Sequence, residues 1–294
     1  MTPRIAILIP YFGEWPVWMN FFIESCRWNR DIDWLLISDR EPPENSAPNV
    51  RYELVSFTDY CGQLSNALGV KVGANDPYKL CDVRPALGHV HAAILSDYDF
   101  VGFGDLDVIY GDIRSFYDDE LLLNYDLISS HSDRISGHLC LMRNREDVVT
   151  AFRQVRGWKD AFRRSDNVTF DERAFFNLFA GRNGRILPSK APPSIRCFFR
   201  EAYSTPAPTM HMRWFWEKGR LTNEYYPHHP FLYLHFMSWH SSRWYADLPG
   251  VKPDTKAPWA ELSNIVQINW RDAGERGFMI SPAGIQPIVR EAYG

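Results

Sequence analysis

Two aspartates, Asp105 and Asp107, stand one residue apart inside a strongly apolar part of the sequence. They follow the run FVGFG, and the chain returns at once to the apolar run VIY. Two like charges at the end of a buried strand repel each other and are costly to desolvate unless something neutralises them. The turn is therefore either solvated or a site for a hard divalent cation, which carboxylates bind through oxygen. The apolar flanks and the preceding Gly104 favour the cation.

The elements that must position these aspartates alternate between strands and helices. Apolar runs predict strands over residues 4–10, 33–39, 50–57 and 99–105. Helical spacing predicts helices over residues 17–28 and 78–95, the second interrupted by Pro85. Such alternation predicts an α/β fold with a largely parallel sheet flanked by helices, in which ligands bind at the carboxyl ends of the strands. Asp105 and Asp107 fall at one of those ends.

The rest of the chain divides into a continuation of this core and a different C-terminal part. Strands are predicted over residues 126–130 and 138–142, a helix over 146–164 and a short helix over 171–179. From residue 188 onward, prolines, aromatics and histidines crowd together with weak periodicity. We therefore expect a core domain over residues 1–187 and an aromatic-rich extension over residues 188–294 that packs on it.

Composition and charge exclude several classes of protein. The 294-residue chain has a net charge of −4, a pI near 6.1 and no block of Lys or Arg, which argues against a nucleic-acid partner. The sequence contains no G-x-G-x-x-G, G-x-x-x-x-G-K-[ST] or G-x-S-x-G pattern, which counts against dinucleotide-binding, P-loop and serine-hydrolase functions. Aromatic residues make up 15% of the chain and include 11 Trp, which supply either core packing or flat faces for sugar rings.

The cysteines and the N-terminal residues indicate a cytoplasmic protein. The five cysteines are odd in number and scattered without a C-x-x-C pair, as is typical of reduced thiols. The first residues are typical of a strand and lack the apolar segment and cleavage site of a signal peptide. No run approaches the roughly 20 apolar residues of a membrane span. Peripheral contact with the inner face of a membrane stays open.

The sequence resembles a known class of enzymes through two runs, YKLCDVRPALG at residues 78–88 and DFVGFGDLDVIYGDI at residues 99–113. A first strand ending in a small loop, a Lys-x-x-Asp-x-Arg segment and a strand followed by Asp-x-Asp occur in this order in nucleotide-sugar glycosyltransferases of the GT-A fold. The two runs are similar to a group of bacterial glycosyltransferases linked to surface-polysaccharide synthesis. The resemblance covers about residues 4–180, and the C-terminal third only through isolated motifs.

The resemblance implies a GT-A, Rossmann-like α/β fold and a sugar-transfer reaction. The implied donor is a nucleotide-sugar, with a UDP-sugar first, and the implied acceptor is a saccharide or a lipid-linked saccharide. The implied cofactor is Mn²⁺ or Mg²⁺. Asp107 would be the principal metal ligand, and Asp105 would touch the metal or the ribose. Several such families add a histidine ligand after the core, for which His235 fits by position and His240 is the alternative.

The resemblance also assigns residues to the two substrates. The residues implied for the donor are Pro10, Tyr11, Phe12, Asp39, Lys79, Asp82, Arg84 and Asp105. The residues implied for the acceptor are Gly137, His138 and Trp239. Lys and Arg suit a diphosphate, and Asp suits sugar hydroxyls. A helix surface with an ion pair is the alternative for the Lys-x-x-Asp-x-Arg residues.

An acidic pair, Asp171 and Glu172, begins a predicted helix and resembles a pair that inverting GT-A enzymes carry late in the core. In those enzymes a carboxylate accepts the proton of the acceptor hydroxyl as it attacks the anomeric carbon. Acids are also common in first helical turns because they complement the helix dipole, so both interpretations stay open. The stereochemistry stays open too, because a late histidine ligand is more familiar in retaining families.

Two other functions remain as alternatives. A sugar nucleotidyltransferase has a similar core and needs Mg²⁺, but its Gly-rich basic first loop is here replaced by Tyr-Phe-Gly-Glu-Trp. A non-catalytic carbohydrate-binding protein would use the aromatic C-terminal region and would not need paired acids at a strand end. The sequence therefore favours a metal-dependent glycosyltransferase.

Overall fold

A seven-stranded sheet forms the centre of the molecule. In the computed structural model the described residues are 2–73, 75–180, 194–200, 212–236, 266–281 and 284–288. In chain order, their strands are β1 (Ile5–Pro10), β2 (Ile32–Ser38), β3 (Val50–Leu54), β4 (Phe100–Gly104), β5 (Val108–Tyr110), β6 (Leu127–Ser129), β7 (Leu139–Arg143), β8 (Cys197–Phe199), β9 (Trp214–Glu217), β10 (Arg220–Asn223), β11 (Tyr233–His235), β12 (Phe278–Ser281) and β13 (Gly284–Gln286).

Helices and tighter helical turns connect these strands. The α-helices are α1 (Met19–Arg27), α2 (Phe57–Leu68), α3 (Leu87–Val90), α4 (Asp119–Asn124), α5 (Glu146–Val149), α6 (Trp158–Arg163), α7 (Phe176–Phe179) and α8 (Trp270–Arg276). The 3-10 helices are Pro77–Ala86, Ile113–Ser115 and Ala151–Gln154, and Phe170–Ala174 forms a π-helical turn. Of the helices in the described ranges, none has the length and apolar character needed to cross a membrane.

The central sheet has the strand order β3-β2-β1-β4-β7-β6-β8. The first four strands of that order run parallel to one another, and β6 runs parallel to β8. Strand β7 is antiparallel to both of its neighbours, β4 and β6. The predicted α/β class, a mostly parallel sheet flanked by helices, is therefore confirmed.

Strand β1 shows why the sequences of the central strands are continuous apolar runs. Its side chains alternate between two cores because successive residues of a strand point to opposite faces. Ile5, Ile7 and Ile9 pack with residues of α1. Ala6 and Leu8 pack on the other face with residues of α2. Since both faces are covered, no position of the strand is left for a polar side chain.

The segment predicted as a kinked helix over residues 78–95 is the 3-10 helix Pro77–Ala86 followed by the short α3. Asp76 begins the 3-10 helix by accepting a hydrogen bond from the Tyr78 amide at 2.7 Å. Pro85 lies near its end and has no amide hydrogen to donate, so a regular α-helix does not continue through it. The result is two short helical elements of different geometry instead of one long amphipathic helix.

Two smaller sheets join the C-terminal part of the chain to the core. Strand β11 pairs antiparallel with β5, which sets His235 opposite Val108. A four-stranded antiparallel sheet, β10-β9-β12-β13, packs with α1 and α8 around Trp214 and Trp216. Strand β8 adds to the central sheet beside β6. The described part of the predicted extension, residues 188–294, thus contacts the core at more than one place.

The helix predicted over residues 146–164 is broken in the structure. It consists of α5, a 3-10 turn and α6, and Gly157 precedes α6 with a φ of 81°. A left-handed residue cannot continue a right-handed helix. The apolar spacing of this segment therefore reflects packing against the core by separate short elements. In the same way, the helix predicted over residues 171–179 is the π-helical turn Phe170–Ala174 followed by α7.

We expect Gly157→Ala to lower the free energy of unfolding by about 1–2 kcal/mol, because a residue with a Cβ is strained in the left-handed region. Gly62→Ala is the matched control, since Gly62 is exposed within α2 and an added Cβ meets open space at both positions. Alanine at position 62 should raise the free energy of unfolding by about 0.5–1 kcal/mol. Urea denaturation measures both, and equal effects of the two variants would contradict this account of the break.

Candidate active site

A cleft of about 560 Å³ opens at the carboxyl ends of β1 and β4. It is lined by the loop after β1, the turn after β4, the 3-10 helix Pro77–Ala86 and residues of the 167–172 segment, together with His138 and His235. The carboxyl ends of parallel strands are where α/β sheets bind ligands, and this volume suits a small molecule. Asp105 and Asp107 both line the cleft.

The guanidinium of Arg84 joins two carboxylates across this cleft. Its Nη2 donates to Oδ1 of Asp105, and its Nη1 donates to Oδ2 of Asp171 at 3.3 Å. The side chains of Arg84 and Asp171 are only 12% and 3% exposed, so these charges interact with little screening by water. The 3-10 helix therefore connects the turn after β4 with the predicted acidic pair.

Two stacked histidines extend this arrangement to the second aspartate. Nδ1 of His138 lies 3.3 Å from Oδ2 of Asp105. The rings of His138 and His235 stack with centroids 3.6 Å apart. Nε2 of His235 lies 3.1 Å from Oδ2 of Asp107. A continuous chain of polar contacts and ring stacking thus runs from Asp171 to Asp107.

Strand pairing explains how residues distant in sequence meet here. Strand β7 pairs with β4 so that Leu139 lies opposite Gly104, which brings His138 beside Asp105. Strand β11 pairs with β5, and the Phe236 amide donates to the carbonyl oxygen of Asp107 at 3.2 Å. His235 is therefore placed by backbone hydrogen bonds to Asp107 and to the strand that follows it.

Burial and charge move the pKa values of the two carboxylates on Arg84 in opposite directions. Burial raises the pKa of Asp171 to about 7, the charges of Glu172 and Asp105 add to this, and Arg84 opposes it. Burial also acts to raise the pKa of Asp105, but the charge of Arg84 and the hydrogen bond from His138 lower it to about 2. At neutral pH, Asp105 is therefore ionised and Asp171 is partly protonated.

The two histidines also differ from each other in pKa. Burial lowers the pKa of His138 to about 4, and the neighbouring His235 acts in the same direction. Burial acts to lower the pKa of His235 as well, but the negative charge of Asp107 outweighs it and raises the pKa above its usual value. At neutral pH, His138 is therefore a neutral ring stacked on a more basic one.

Gly137, predicted to contact the acceptor, lies against the charged groups themselves. A Cβ built on this glycine would lie 2.8 Å from Nη1 of Arg84, 3.2 Å from Oε1 of Glu172 and 3.7 Å from Oδ2 of Asp105. Any larger residue would push the guanidinium away from its carboxylates. The glycine is needed here for close approach.

Lys79 and Asp82 do not reach the cleft, which corrects their prediction as donor-binding residues. Their side chains are 1% and 0% exposed and form an ion pair at 2.7 Å. Lys79 also donates to the carbonyl oxygens of Ala161 and Asp166. The ion pair that the sequence offered as an alternative is thus present, although it is buried and does not lie on a helix surface.

Three of the residues predicted to bind the donor lie in the loop after β1, at the cleft. Pro10, Tyr11 and Phe12 line the cleft, and the Tyr11 ring stacks on Trp15 with centroids 5.4 Å apart. Asp39 does not line the cleft. Its Oδ1 accepts a hydrogen bond from the Gly13 amide at 3.0 Å, which helps to fix the conformation of this loop. The remaining predicted residues, Trp239 and the alternative ligand His240, lie outside the described residues.

The structure adds residues that the sequence did not indicate. Nε1 of Trp18 donates to the carbonyl oxygen of Leu106 at 2.8 Å and so supports the Asp-Leu-Asp turn. Asn167 and Thr169 line the cleft beside Asp171. The polar run Ser-Asp-Asn at residues 165–167 is a loop signal that could have drawn attention to this segment. Trp18 carried no such signal, because it is part of an apolar helical pattern.

Metal-ligand atoms face each other at one point of the cleft. Among the residues that the structure describes, no three or more His, Cys, Asp or Glu side chains are gathered as a complete metal site. Asp107 and His235 nevertheless present an oxygen and a nitrogen 3.1 Å apart. Adjacent ligands of an octahedral ion, each about 2.1 Å from it, are separated by about 3 Å. These two side chains therefore fit a shared cation.

Comparison with known proteins gives a family and several glycosyltransferase structures. Residues 7–247 match DUF6625, a family of unknown function, and the chain belongs to this family. No curated protein matches the sequence. The galactosyltransferase LgtC, in complex with donor and acceptor sugar analogues, is 12% identical over 90% of this chain and 99% of that chain, with a TM-score of 0.45. Apo GlyE from Streptococcus pneumoniae TIGR4 is 13% identical over 91% and 61%, with a TM-score of 0.40. Apo mouse xyloside xylosyltransferase 1 is 11% identical over 59% and 80%, with a TM-score of 0.33.

Asp171→Asn should change stability in a pH-dependent way. An aspartate in the unfolded chain loses its proton near pH 4, whereas in the folded protein Asp171 keeps it up to about pH 7. The folded state therefore binds more protons in this window, and its stability falls as the pH rises through it. Asparagine does not titrate, so the free energy of unfolding of the variant should not fall in this way. Relative to wild type, it should increase by on the order of 2–4 kcal/mol as the pH is raised from 4 to 8. Urea denaturation at pH 4, 6 and 8 measures the difference, and a constant difference would contradict the raised pKa.

Proposed function

We propose that this protein is a metal-dependent glycosyltransferase of the GT-A fold. It transfers a sugar from a nucleotide-sugar, with a UDP-sugar as the first candidate, to a saccharide or glycolipid acceptor in bacterial surface-polysaccharide synthesis. The observation that carries the proposal is the chain of contacts from Asp171 through Arg84 to Asp107, inside a cleft at the carboxyl ends of parallel strands. It puts a candidate base and a candidate cation site in one cavity.

The charge of the cleft supports a requirement for a divalent cation. Four carboxylates, those of Asp105, Asp107, Asp171 and Glu172, line it together with one guanidinium. An anionic diphosphate would be repelled by such a lining unless a cation came with it. A bound Mn²⁺ or Mg²⁺ would supply neutralisation of the donor diphosphate and of the charge that develops on the departing nucleoside diphosphate. Carboxylates suit both ions, and the imidazole is acceptable to Mn²⁺.

Asp107 is the better candidate for the principal ligand. Both oxygens of Asp105 already have partners, one in Arg84 and the other in His138. Asp107 instead faces the nitrogen of His235. Asp105 would then orient the guanidinium and contact the metal or the ribose at its margin. His235 belongs to the extension proposed over residues 188–294, so this part of the chain would complete a site begun by the core over residues 1–187.

The loop after β1 provides a surface for the nucleoside of the donor. Pro10, Tyr11 and Phe12 contribute apolar and aromatic faces at the edge of the cleft. The Tyr11 hydroxyl donates to the carbonyl oxygen of Glu14, and Asp39 holds the Gly13 amide, so the loop is fixed before a ligand arrives. A planar base would stack on such a surface at little cost in ordering.

Asp171 is the proposed general base. In the reaction, the acceptor hydroxyl gives its proton to Asp171, its oxygen forms a bond to the anomeric carbon, and the bond from that carbon to the diphosphate breaks. A base with a pKa of about 7 is well matched to work near neutral pH. Arg84 holds this carboxylate in the cleft. Such direct displacement inverts the anomeric centre.

The proposed location is the cytoplasm, with lipid-linked acceptors met at the inner face of a membrane. The five cysteines support it: Cys26, Cys61, Cys81, Cys140 and Cys197 all have free thiols. Unpaired cysteines are usual in a reducing compartment.

Donor binding is the first test of the proposal. Thermal-shift measurements with UDP-, GDP-, CMP- and dTDP-sugars, each with and without Mn²⁺, should show stabilisation by one nucleotide class that depends on the metal. Binding to the native state stabilises it by RT ln(1 + [L]/Kd), so a true donor raises Tm, and it does so more at a given concentration the lower its Kd. A sugar-binding protein without activity would instead respond to saccharides alone.

The metal requirement gives a sharper prediction. EDTA should abolish transfer, and Mn²⁺ or Mg²⁺ should restore it. Asp107→Asn should lower kcat by about 100-fold or more, because the metal contributes several kcal/mol of transition-state stabilisation, and Asp105→Asn should cost less. Asp118→Asn is the control, since Asp118 is an exposed N-cap of α4 and asparagine caps equally well. Full activity in the presence of EDTA would contradict the metal requirement, and the Asp-Leu-Asp motif would then be only a structural turn.

The base gives a second kinetic prediction. Asp171→Asn should lower kcat by about 10²–10⁴-fold while donor affinity with Mn²⁺ stays nearly unchanged. In wild type, kcat should rise with pH and level off above about pH 7, as Asp171 loses its proton. Glu172→Gln should be milder. If both variants keep kcat within a few-fold of wild type, the pair only begins a helical segment, and a retaining mechanism without an enzymic base becomes the better account.

A further inference from the structure

We infer that Lys79 and Asp82 are positioning residues: their buried ion pair fixes the chain segment 166–170 and thereby holds Asp171 at the cleft. This inference rests on the proposed function, because Asp171 is the base of that reaction. The Lys-x-x-Asp-x-Arg segment would then have two roles. Its arginine contacts the base directly, and its lysine and aspartate hold the segment that carries the base.

The carboxylate of Asp82 binds two amides of this segment. Its Oδ1 accepts from the Phe170 amide at 2.7 Å, and its Oδ2 accepts from the Val168 amide at 2.9 Å. Both amides lie just before Asp171 in the chain. Because the two bonds come from one rigid carboxylate, they fix the distance between residues 168 and 170.

The ammonium group of Lys79 completes the arrangement. It donates to Oδ2 of Asp82 and to the carbonyl oxygen of Ala161, both at 2.7 Å, and to the carbonyl oxygen of Asp166 at 2.9 Å. A lysine has three hydrogens to donate, and all three are used. The pair therefore links the 3-10 helix to both ends of the loop that leads from α6 to the base.

The backbone between the two bound amides needs such support. Thr169 has a φ of 54°, in the left-handed region that β-branched residues avoid. Conformations of this kind persist only where the surroundings fix them, and they gather at functional sites. The carboxylate of Asp82 accepts hydrogen bonds from the amides on both sides of Thr169, and Asp171 follows two residues later. The strained turn directs the base toward Arg84.

Stability alone is a weak explanation for this pair. Replacing a buried ion pair with neutral side chains is often without cost to folding, whereas removing one partner leaves an uncompensated charge. The informative variant is therefore the double replacement Lys79→Met/Asp82→Asn. It removes both charges together and leaves a single acceptor oxygen. An oxygen at the Oδ1 position can keep the Phe170 amide at 2.7 Å but reaches the Val168 amide only at 3.2 Å, so the hold on residue 168 is weakened. Asp82→Glu is the second variant, because it keeps the charge and moves the carboxylate by one methylene.

The control is Asp126→Asn, which perturbs a similar ion pair elsewhere. Asp126 is also buried, accepts from Nε of Arg143 at 2.8 Å and from the Arg196 amide at 2.8 Å, and does not line the cleft. A purely structural loss at this position should lower Tm and leave kcat unchanged. It therefore separates the cost of weakening the fold from the cost of misplacing the base.

We expect Lys79→Met/Asp82→Asn and Asp82→Glu each to lower kcat by about 10- to 100-fold, since small misplacements of a reacting group have effects of this size. The donor Kd with Mn²⁺ should stay within about threefold of wild type, because neither residue lines the cleft. Amide hydrogen exchange at residues 166–171 should accelerate in both variants and not in Asp126→Asn.

Three results would overturn the inference: a folded variant with the kcat of wild type, a raised donor Kd with unchanged kcat, or unchanged hydrogen exchange at residues 166–171. The second result, a raised donor Kd with unchanged kcat, would support the original prediction that Lys79 and Asp82 help to bind the donor. If wild type itself transfers no sugar with any donor, the proposed function fails, and hydrogen exchange then decides separately whether the pair holds the segment.

Discussion

The guanidinium of Arg84 lies between two carboxylates of the cleft, the partly buried Asp105 after β4 and the buried Asp171 at the start of a π-helical turn. Without it, two negative charges would face one cavity with little water to screen them, and an uncompensated buried charge costs about 3–5 kcal/mol. One cation thus lets the strand end and the acidic turn approach each other. Its charge acts to lower the pKa of both carboxylates. At Asp105 this effect, together with the hydrogen bond from His138, outweighs burial and keeps the group ionised, whereas at Asp171 burial and the charge of Glu172 outweigh it and the pKa is about 7. In the proposed reaction these are the two states that a cation site and a base require.

The rest of the cleft depends on backbone pairing that no local pattern encodes. His138 is beside Asp105 because β7 pairs with β4, and His235 is beside Asp107 because β11 pairs with β5. Each histidine is set by hydrogen bonds between strands, so its ring position is fixed before any ligand binds. The oxygen and nitrogen that fit a shared cation belong to residues 128 positions apart. A site assembled in this way couples the proposed extension to the core.

The 3-10 helix Pro77–Ala86 serves both the fold and the candidate site. From one short element, Arg84 reaches the two carboxylates, while Lys79 and Asp82 reach the loop behind Asp171. A regular α-helix would spread these residues around its circumference, and the tighter turn with Pro85 near its end gives a different spacing. The local departure from α-helical geometry therefore coincides with the element that carries Lys79, Asp82 and Arg84. Breaks in regular structure at functional sites are expected where local preference and function compete.

The features that could be predicted from the sequence are those that depend on residues close together in the chain. Strands β1, β2 and β4 were predictable because strands covered on both faces must be apolar throughout, and Asp105 and Asp107 stood out because they end such a run. The contacts between charged side chains depend on the tertiary structure. The sequence offered Lys79 and Asp82 to a ligand, but both side chains are buried, where they bind each other and the backbone of the segment before Asp171. Asp171 and Arg84, 87 positions apart, form an ion pair that no local pattern of the sequence encodes. Electrostatic energy depends on distance in space and on burial, and neither quantity is set by spacing along the chain.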